Sequence, residues 1–181
     1  MANNKRKKIK MLLEDGRSLY HTQDLAALWG ISNPNTLYTT IRRYVGAGYL
    51  NRVHKGFYST VDIRKVDPYL LGLVAIHDYG YIGVESILAQ EGVIFQDVKY
   101  ITMISRKSKR FKIGEHHFLV RKMKDDFLYN GIGIVAESGT KKATKERAIA
   151  DMLYFNPDYY FDTKEKINWE KVKEIQKIIG Y

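Results

Sequence analysis

The chain has 181 residues, 45% hydrophobic and 28% charged, with no cysteine. That balance excludes wholesale disorder. No run of about 18 apolar residues is available to cross a membrane, and without cysteine there is no disulfide framework, thiolate metal site or thiol nucleophile. Thirty Lys and Arg against twenty Asp and Glu leave a net charge of +10, unevenly spread. Residues 1–65 hold twelve basic and four acidic side chains (+8), whereas residues 66–181 hold eighteen and sixteen (+2). A basic first third joined to a nearly neutral remainder points to a polyanionic partner for that third. Nucleic acid fits better than an anionic membrane surface, because no helix pairs a basic face with a broad Trp, Phe and Leu face.

The leader Met-Ala-Asn-Asn-Lys-Arg-Lys-Lys lacks the apolar stretch of a signal peptide, so a cytoplasmic location is expected. Its residues Lys5–Lys8 read as a flexible arm contacting phosphates or as a solubilising tail. Ile9, Leu12 and Leu13 then recur at helical spacing until Asp15-Gly16. Thr22 is a natural N-cap for a helix over Gln23–Trp29, whose buried stripe is Leu25, Ala26, Leu28 and Trp29. Gly30 stops it. Asn33 caps the next helix and Pro34 takes its first position, with helical pattern from Asn35 to about Ala47. Two short helices joined by a four-residue Gly-containing turn match helix-turn-helix spacing.

In that second helix Leu37, Ile41, Tyr44 and Val45 share one face. Asn35, Thr36, Tyr38, Thr39, Arg42 and Arg43 occupy the other. Those residue types read DNA, since Asn pairs with adenine edges, Arg with guanine, and Thr hydroxyls reach bases or phosphates. Tyr38 reads either as a backbone contact or as packing against the first helix. Tyr49–Val53 and Phe57–Thr60 alternate like strands around His54-Lys55-Gly56, a hairpin turn. Three helices and a hairpin predict a winged helix-turn-helix over residues 1–65, with Arg52, His54 and Lys55 on the wing. A solvated polar face without ligand, or a protein-interaction module, is the competing reading.

Asp67-Pro68 marks a boundary. Tyr69 to about Ile76 reads as a buried helix and Ser86–Gln90 as part of another. Tyr100–Ile104, Arg110–Ile113, Phe118–Lys122 and Ile132–Ala136 read as strands. Thr144 caps a helix from Lys145 to about Phe155 that buries Ala148, Ile149, Met152 and Leu153. Asn168 caps a last helix with Val172, Ile175, Ile178 and Ile179 on its apolar side. Residues 66–181 are therefore a mixed α+β domain, and the fold class as a whole is α+β. The chain stops at Gly180-Tyr181 directly after this helix, which leaves open whether it is full length.

A resemblance rests on several of these segments. Asp24-Leu25-Ala26, Tyr44-Val45-Gly46-Ala47-Gly48-Tyr49-Leu50 and Lys55-Gly56-Phe57-Tyr58 look like the N-terminal winged helix of AbiEi-type antitoxins. Tyr81-Ile82-Gly83-Val84-Glu85-Ser86-Ile87-Leu88, Ile101-Thr102 with Lys109-Arg110-Phe111, and Lys142-Ala143-Thr144 through Tyr154 resemble later segments of that family, in order. Lys145 stands where the family often has proline and Arg147 where it often has lysine. The resemblance implies the antitoxin of a type IV toxin–antitoxin operon used in phage defence by abortive infection. Such a protein binds inverted repeats in its own promoter, represses the operon and counters a nucleotidyltransferase-like toxin without a stable complex. The implied partners are double-stranded promoter DNA and that toxin. The chain is then a monomer or weak dimer that places two copies on DNA. Sequestering the toxin by direct binding is the alternative.

Nine Lys and Arg fall between Lys99 and Lys124 against Glu115 alone. Strand alternation suggests that Lys107, Lys109 and Arg121 line one side of a second phosphate-contacting surface, with Arg110 nearby. A solvated or edge-protecting charge set is the competing reading. His116 and His117 point to opposite faces, which argues against a shared metal. Asp125-Asp126, Asp158 and Asp162 read as capping residues. Gly131-Ile132-Gly133 lacks the Lys and Ser/Thr of a phosphate loop, and neither Ser86 nor Ser105 sits in a Gly-x-Ser-x-Gly turn. No catalytic residue, metal or cofactor is expected.

Overall fold

The computed structural model describes residues 2–181, with only the backbone of residues 2–5. The chain is mixed α+β and divides into two compact units, Met1–Asp67 and Pro68–Tyr181.

The first unit runs α1 (Ala2–Asp15), β1 (Leu19–His21), α2 (Thr22–Trp29), α3 (Pro34–Gly46), β2 (Asn51–His54) and β3 (Phe57–Ser59). Backbone at 5–8 belongs to α1, so the helix starts before the Ile9 spacing that predicts it; the side chain of Lys5 lies outside the described residues. The helix ends at Gly16, whose φ of 71° places it in the left-handed region that glycine enters without steric cost. Cap chemistry sets the next boundaries. The Asp24 carboxylate accepts the His21 backbone N–H at 2.6 Å, so His21 rather than Thr22 is the N-cap of α2. The Thr22 hydroxyl instead donates to the Gly56 carbonyl in the hairpin turn. Asn33 Oδ1 accepts the Thr36 N–H at 3.0 Å and Pro34 opens α3, as the sequence predicts.

Leu12, Tyr20, Leu25, Trp29, Leu37, Ile41, Tyr44, Leu50 and Tyr58 form one core within this unit. Leu13, which recurs with Ile9 and Leu12 at helical spacing, is 76% exposed. The sheet has the order β1-β3-β2, all antiparallel. Strand β1, absent from the sequence reading, pairs with β3 and places the α1–α2 connection on the sheet edge.

The second unit follows as α4 (Pro68–Ile76), β4 (Gly80–Ile82), α5 (Val84–Gln90), β5 (Ile101–Ser105), β6 (Lys109–Ile113), β7 (His116–Lys122), α6 (Asp125–Leu128), β8 (Ile134–Glu137), β9 (Thr140–Ala143), α7 (Lys145–Phe155) and α8 (Trp169–Ile179). Six strands form a mixed sheet of order β6-β7-β5-β4-β9-β8. Helix α4 covers one face, and its Gly72 allows the closest approach, since a Cβ there would lie 2.5 Å from Phe118 Cε1. On the other face Ser86 of α5 and Thr102 of β5 exchange backbone-to-hydroxyl bonds of 2.9 and 2.7 Å. Helix α7 packs against α5 and α8. Thr144 and Asn168 cap α7 and α8 as predicted. Leu153 is only half-buried, and Ile178 is 49% exposed rather than core.

Candidate nucleic-acid interface

Burial sorts α3 into two faces. Leu37, Ile41 and Tyr44 are buried, whereas Asn35, Thr36, Tyr38, Thr39, Arg42 and Arg43 are all exposed. At 1.5 Å per residue its thirteen residues span about 20 Å, and a helix of ordinary diameter enters a DNA major groove about 12 Å wide. No acidic side chain stands in its first turn, so the positive end of the helix dipole is unopposed. The β2–β3 hairpin lies beside it. A cleft lined by Tyr38, Arg52, Lys55, Gly56 and Tyr58 brings α3 and the hairpin together. Tyr38 is 58% exposed and lines this cleft. His54 is exposed on β2, one residue before the turn.

Ion pairing leaves the cations of this surface without acidic partners. Glu14, Asp15, Asp24 and Asp62 are the only acids in residues 1–65. Glu14 pairs with Lys10, Asp15 and Asp24 with Arg17, and Asp62 with Arg64. Hydrogen bonds from Arg17 hold the Asp15 carboxyl below its ordinary pKa, and those from Arg64 lower Asp62 to about 2. Among the described residues none of these acids reaches Arg42, Arg43, Arg52 or Lys55. Four cations are thus left uncompensated on α3 and the hairpin.

The second basic segment does not form the face expected of it. Register pairs Lys109 with Val120 and Arg110 with Leu119. Cross-strand partners share a face. Lys109 therefore lies on the face of Val120 and Phe118, and Arg121 on the opposite one with Arg110 and Lys112. The grouping of Lys107, Lys109 and Arg121 is corrected accordingly; Lys107 sits in the turn before β6. The reading failed because the offset between antiparallel strands is not visible in either strand alone. Arg121 is also paired with Glu85 of α5.

A buried polar cluster was missed as such. Arg147 and Asp151, one turn apart on α7, are both fully buried and paired at 2.8 Å. Tyr81 donates to Asp151 at 2.8 Å and accepts from Arg147 at 2.9 Å, and Tyr181 also donates to Asp151. Burial raises the pKa of Asp151, opposed by Arg147 and the two tyrosines. The i,i+4 spacing of Arg and Asp inside an apolar segment was the available signal. With every donor turned inward, the cluster is a structural clasp. Among the described residues no group of three or more His, Asp or Glu is placed to hold a metal, and no helix is long and apolar enough to cross a membrane. The chain matches no protein-family model and no curated protein.

Proposed function

We propose that the first unit is a winged helix-turn-helix that binds double-stranded DNA, and that the protein is the autorepressor and antitoxin of an AbiE-like toxin–antitoxin operon. The observation that carries the DNA reading is the uncompensated set Arg42, Arg43, Arg52 and Lys55 on α3 and the hairpin, while Glu14, Asp15, Asp24 and Asp62, the acids of residues 1–65, are paired elsewhere. In this reading α3 enters the major groove, with Asn35, Thr36, Thr39 and Arg43 at base edges. Arg42, Arg52, His54 and Lys55 contact phosphates, and Tyr38 packs against the backbone between them. The operon role and the nucleotidyltransferase-like toxin rest on the segment resemblance alone.

The test is an electrophoretic shift at about 150 mM salt, where nonspecific attraction is already weakened, on the DNA upstream of the protein's own gene. Selective binding to that DNA over scrambled duplex, lost in Arg42→Ala/Arg43→Ala, is the expected result. Equal binding to both duplexes, or none, overturns it. A second reading, direct sequestration of a partner toxin, is favoured by one feature. Leu13, 76% exposed, flanks a cleft lined also by Ile9, Leu12, Tyr49 and Val61. Stoichiometric co-purification with the product of the neighbouring gene would select it.

A further inference from the structure

We propose that, separately from the duplex-binding reading, the second unit carries a platform for single-stranded nucleic acid on one face of its β6–β7 edge. The register places Arg110, Lys112, His117, Leu119 and Arg121 together on that face. Tyr100, immediately before β5, extends it. Its ring meets His117 edge-on with centroids 5.9 Å apart, and the Arg110 guanidinium lies 5.9 Å from its centre. At the other end the Arg121 guanidinium lies 5.5 Å from the ring of Phe155 at the end of α7. Arg110, Leu119, Arg121 and Phe155 line an open cleft of about 550 Å³ that continues round the strand edge to Lys109 and Lys122.

The chemistry separates this face from an ordinary charged edge. The opposite face of the same strands is spent on packing, with Phe111 stacked on Phe118 at 4.9 Å and Phe118 fully buried. A charge set that only protects an edge needs no aromatic rings among its cations. Here Tyr100 is 36% exposed, and Arg110, Lys112 and His117 are exposed around it. Aromatic rings interleaved with Arg and Lys bind unstacked bases and their phosphates, stacking being tolerant of sequence. Duplex DNA keeps its base faces inside the stack and offers these rings nothing. Two cation–aromatic pairs also exceed what a single nucleotide needs, which favours a strand over a free mononucleotide. Glu85 opposes the site, because its carboxylate occupies Arg121 and competes with an incoming phosphate.

The experiment uses the full chain carrying Arg42→Ala/Arg43→Ala, so that the surface proposed for duplex DNA does not contribute. Fluorescence anisotropy follows labelled single-stranded RNA and DNA of about 12 nucleotides, within the site sizes such platforms cover, and the matching duplex. Single strands are expected to bind at least about tenfold more tightly than the duplex. Tyr100→Ala is expected to weaken them about fivefold or more, the loss of one stacked base. Arg110→Ala is expected to lower the log–log salt slope by about 0.7, and Glu85→Gln to tighten binding. Tyr100 and Arg110 are at the surface, so both variants should melt at the parent temperature. Phe155→Ala is read only if its melting temperature is also retained. Duplex binding as tight as single-strand binding, no binding, or indifference to Tyr100→Ala overturns the proposal. Competition by mononucleotides as effective as by the oligonucleotide overturns the strand reading. None of these outcomes bears on the promoter shift, which is read on the first unit.

Discussion

Arg147 carries a guanidinium to a position with no solvent access, and its five N–H groups show how that is tolerated. Nε donates to Asp151, Nη1 to the carbonyls of Asn130 and Ile132, and Nη2 to Tyr81 and the carbonyl of Phe127. No donor remains. The side chain thereby ties α7 to β4, to α6 at Phe127 and to the segment 130–132 that leads into β8. Removing one member of a buried pair leaves the other charge without compensation, which typically costs about 3–5 kcal/mol. Urea denaturation should show Arg147→Met and Asp151→Asn each destabilised on that scale, and a cost below about 1 kcal/mol would mean the pair is not what holds this region. Gly72 offers a second, purely steric test. A Cβ there would sit 2.5 and 2.7 Å from Phe118 Cε1 and Cδ1, and both ring and helix are packed. Gly72→Ala should cost about 1–3 kcal/mol through overpacking, despite the higher helix propensity of alanine.

The elements written in local chemistry are those the sequence reveals. Asn33-Pro34, Thr144 and Asn168 are helix starts because each oxygen is within reach of a backbone N–H two or three residues on, a contact that needs no knowledge of the rest of the chain. Asn33→Ala should therefore cost about 1 kcal/mol in thermal or urea melts, with Asn33→Asp largely restoring it. A cost near zero would mean that Pro34 alone sets the start of α3. Strands β1, β4 and β9, three or four residues each, carry too little alternation to be seen and are defined by the strands that pair with them. The two faces of α3 were readable from 3.6-residue spacing. The faces of β6 and β7 were not, because a one-residue change of register exchanges every side chain between them. Leu13 and Ile178 mark another limit, since spacing shows which residues share a stripe but not how far the packed surface extends beneath it.

Across the whole molecule the two units meet pH differently. The first holds Glu14, Asp15, Asp24 and Asp62 in exposed or partly exposed pairs, whereas the second buries its titratable cluster. Burial, reinforced by the Asp151 carboxylate, pushes the hydroxyl pKa of Tyr81 and Tyr181 far above the ordinary value. In the unfolded chain both titrate near 10. Above that pH the unfolded state has lost protons that the folded state retains, so stability falls as pH rises and is fully present below pH 10. The slope is about 1.4 kcal/mol per pH unit for each retained proton, hence about 3 for the pair. Set against the roughly 5–15 kcal/mol available to a domain, this predicts alkaline unfolding before either folded hydroxyl ionises. Circular dichroism and tyrosinate absorbance recorded together should show the last two tyrosines ionising in step with loss of helix. In Tyr81→Phe/Tyr181→Phe, weaker at neutral pH for want of two bonds to Asp151, the decline above pH 10 should be shallower by that same amount. Complete tyrosinate formation in a chain that keeps its helices would show that the cluster opens without unfolding, and the clasp assigned to Arg147 and Asp151 would lose its main support.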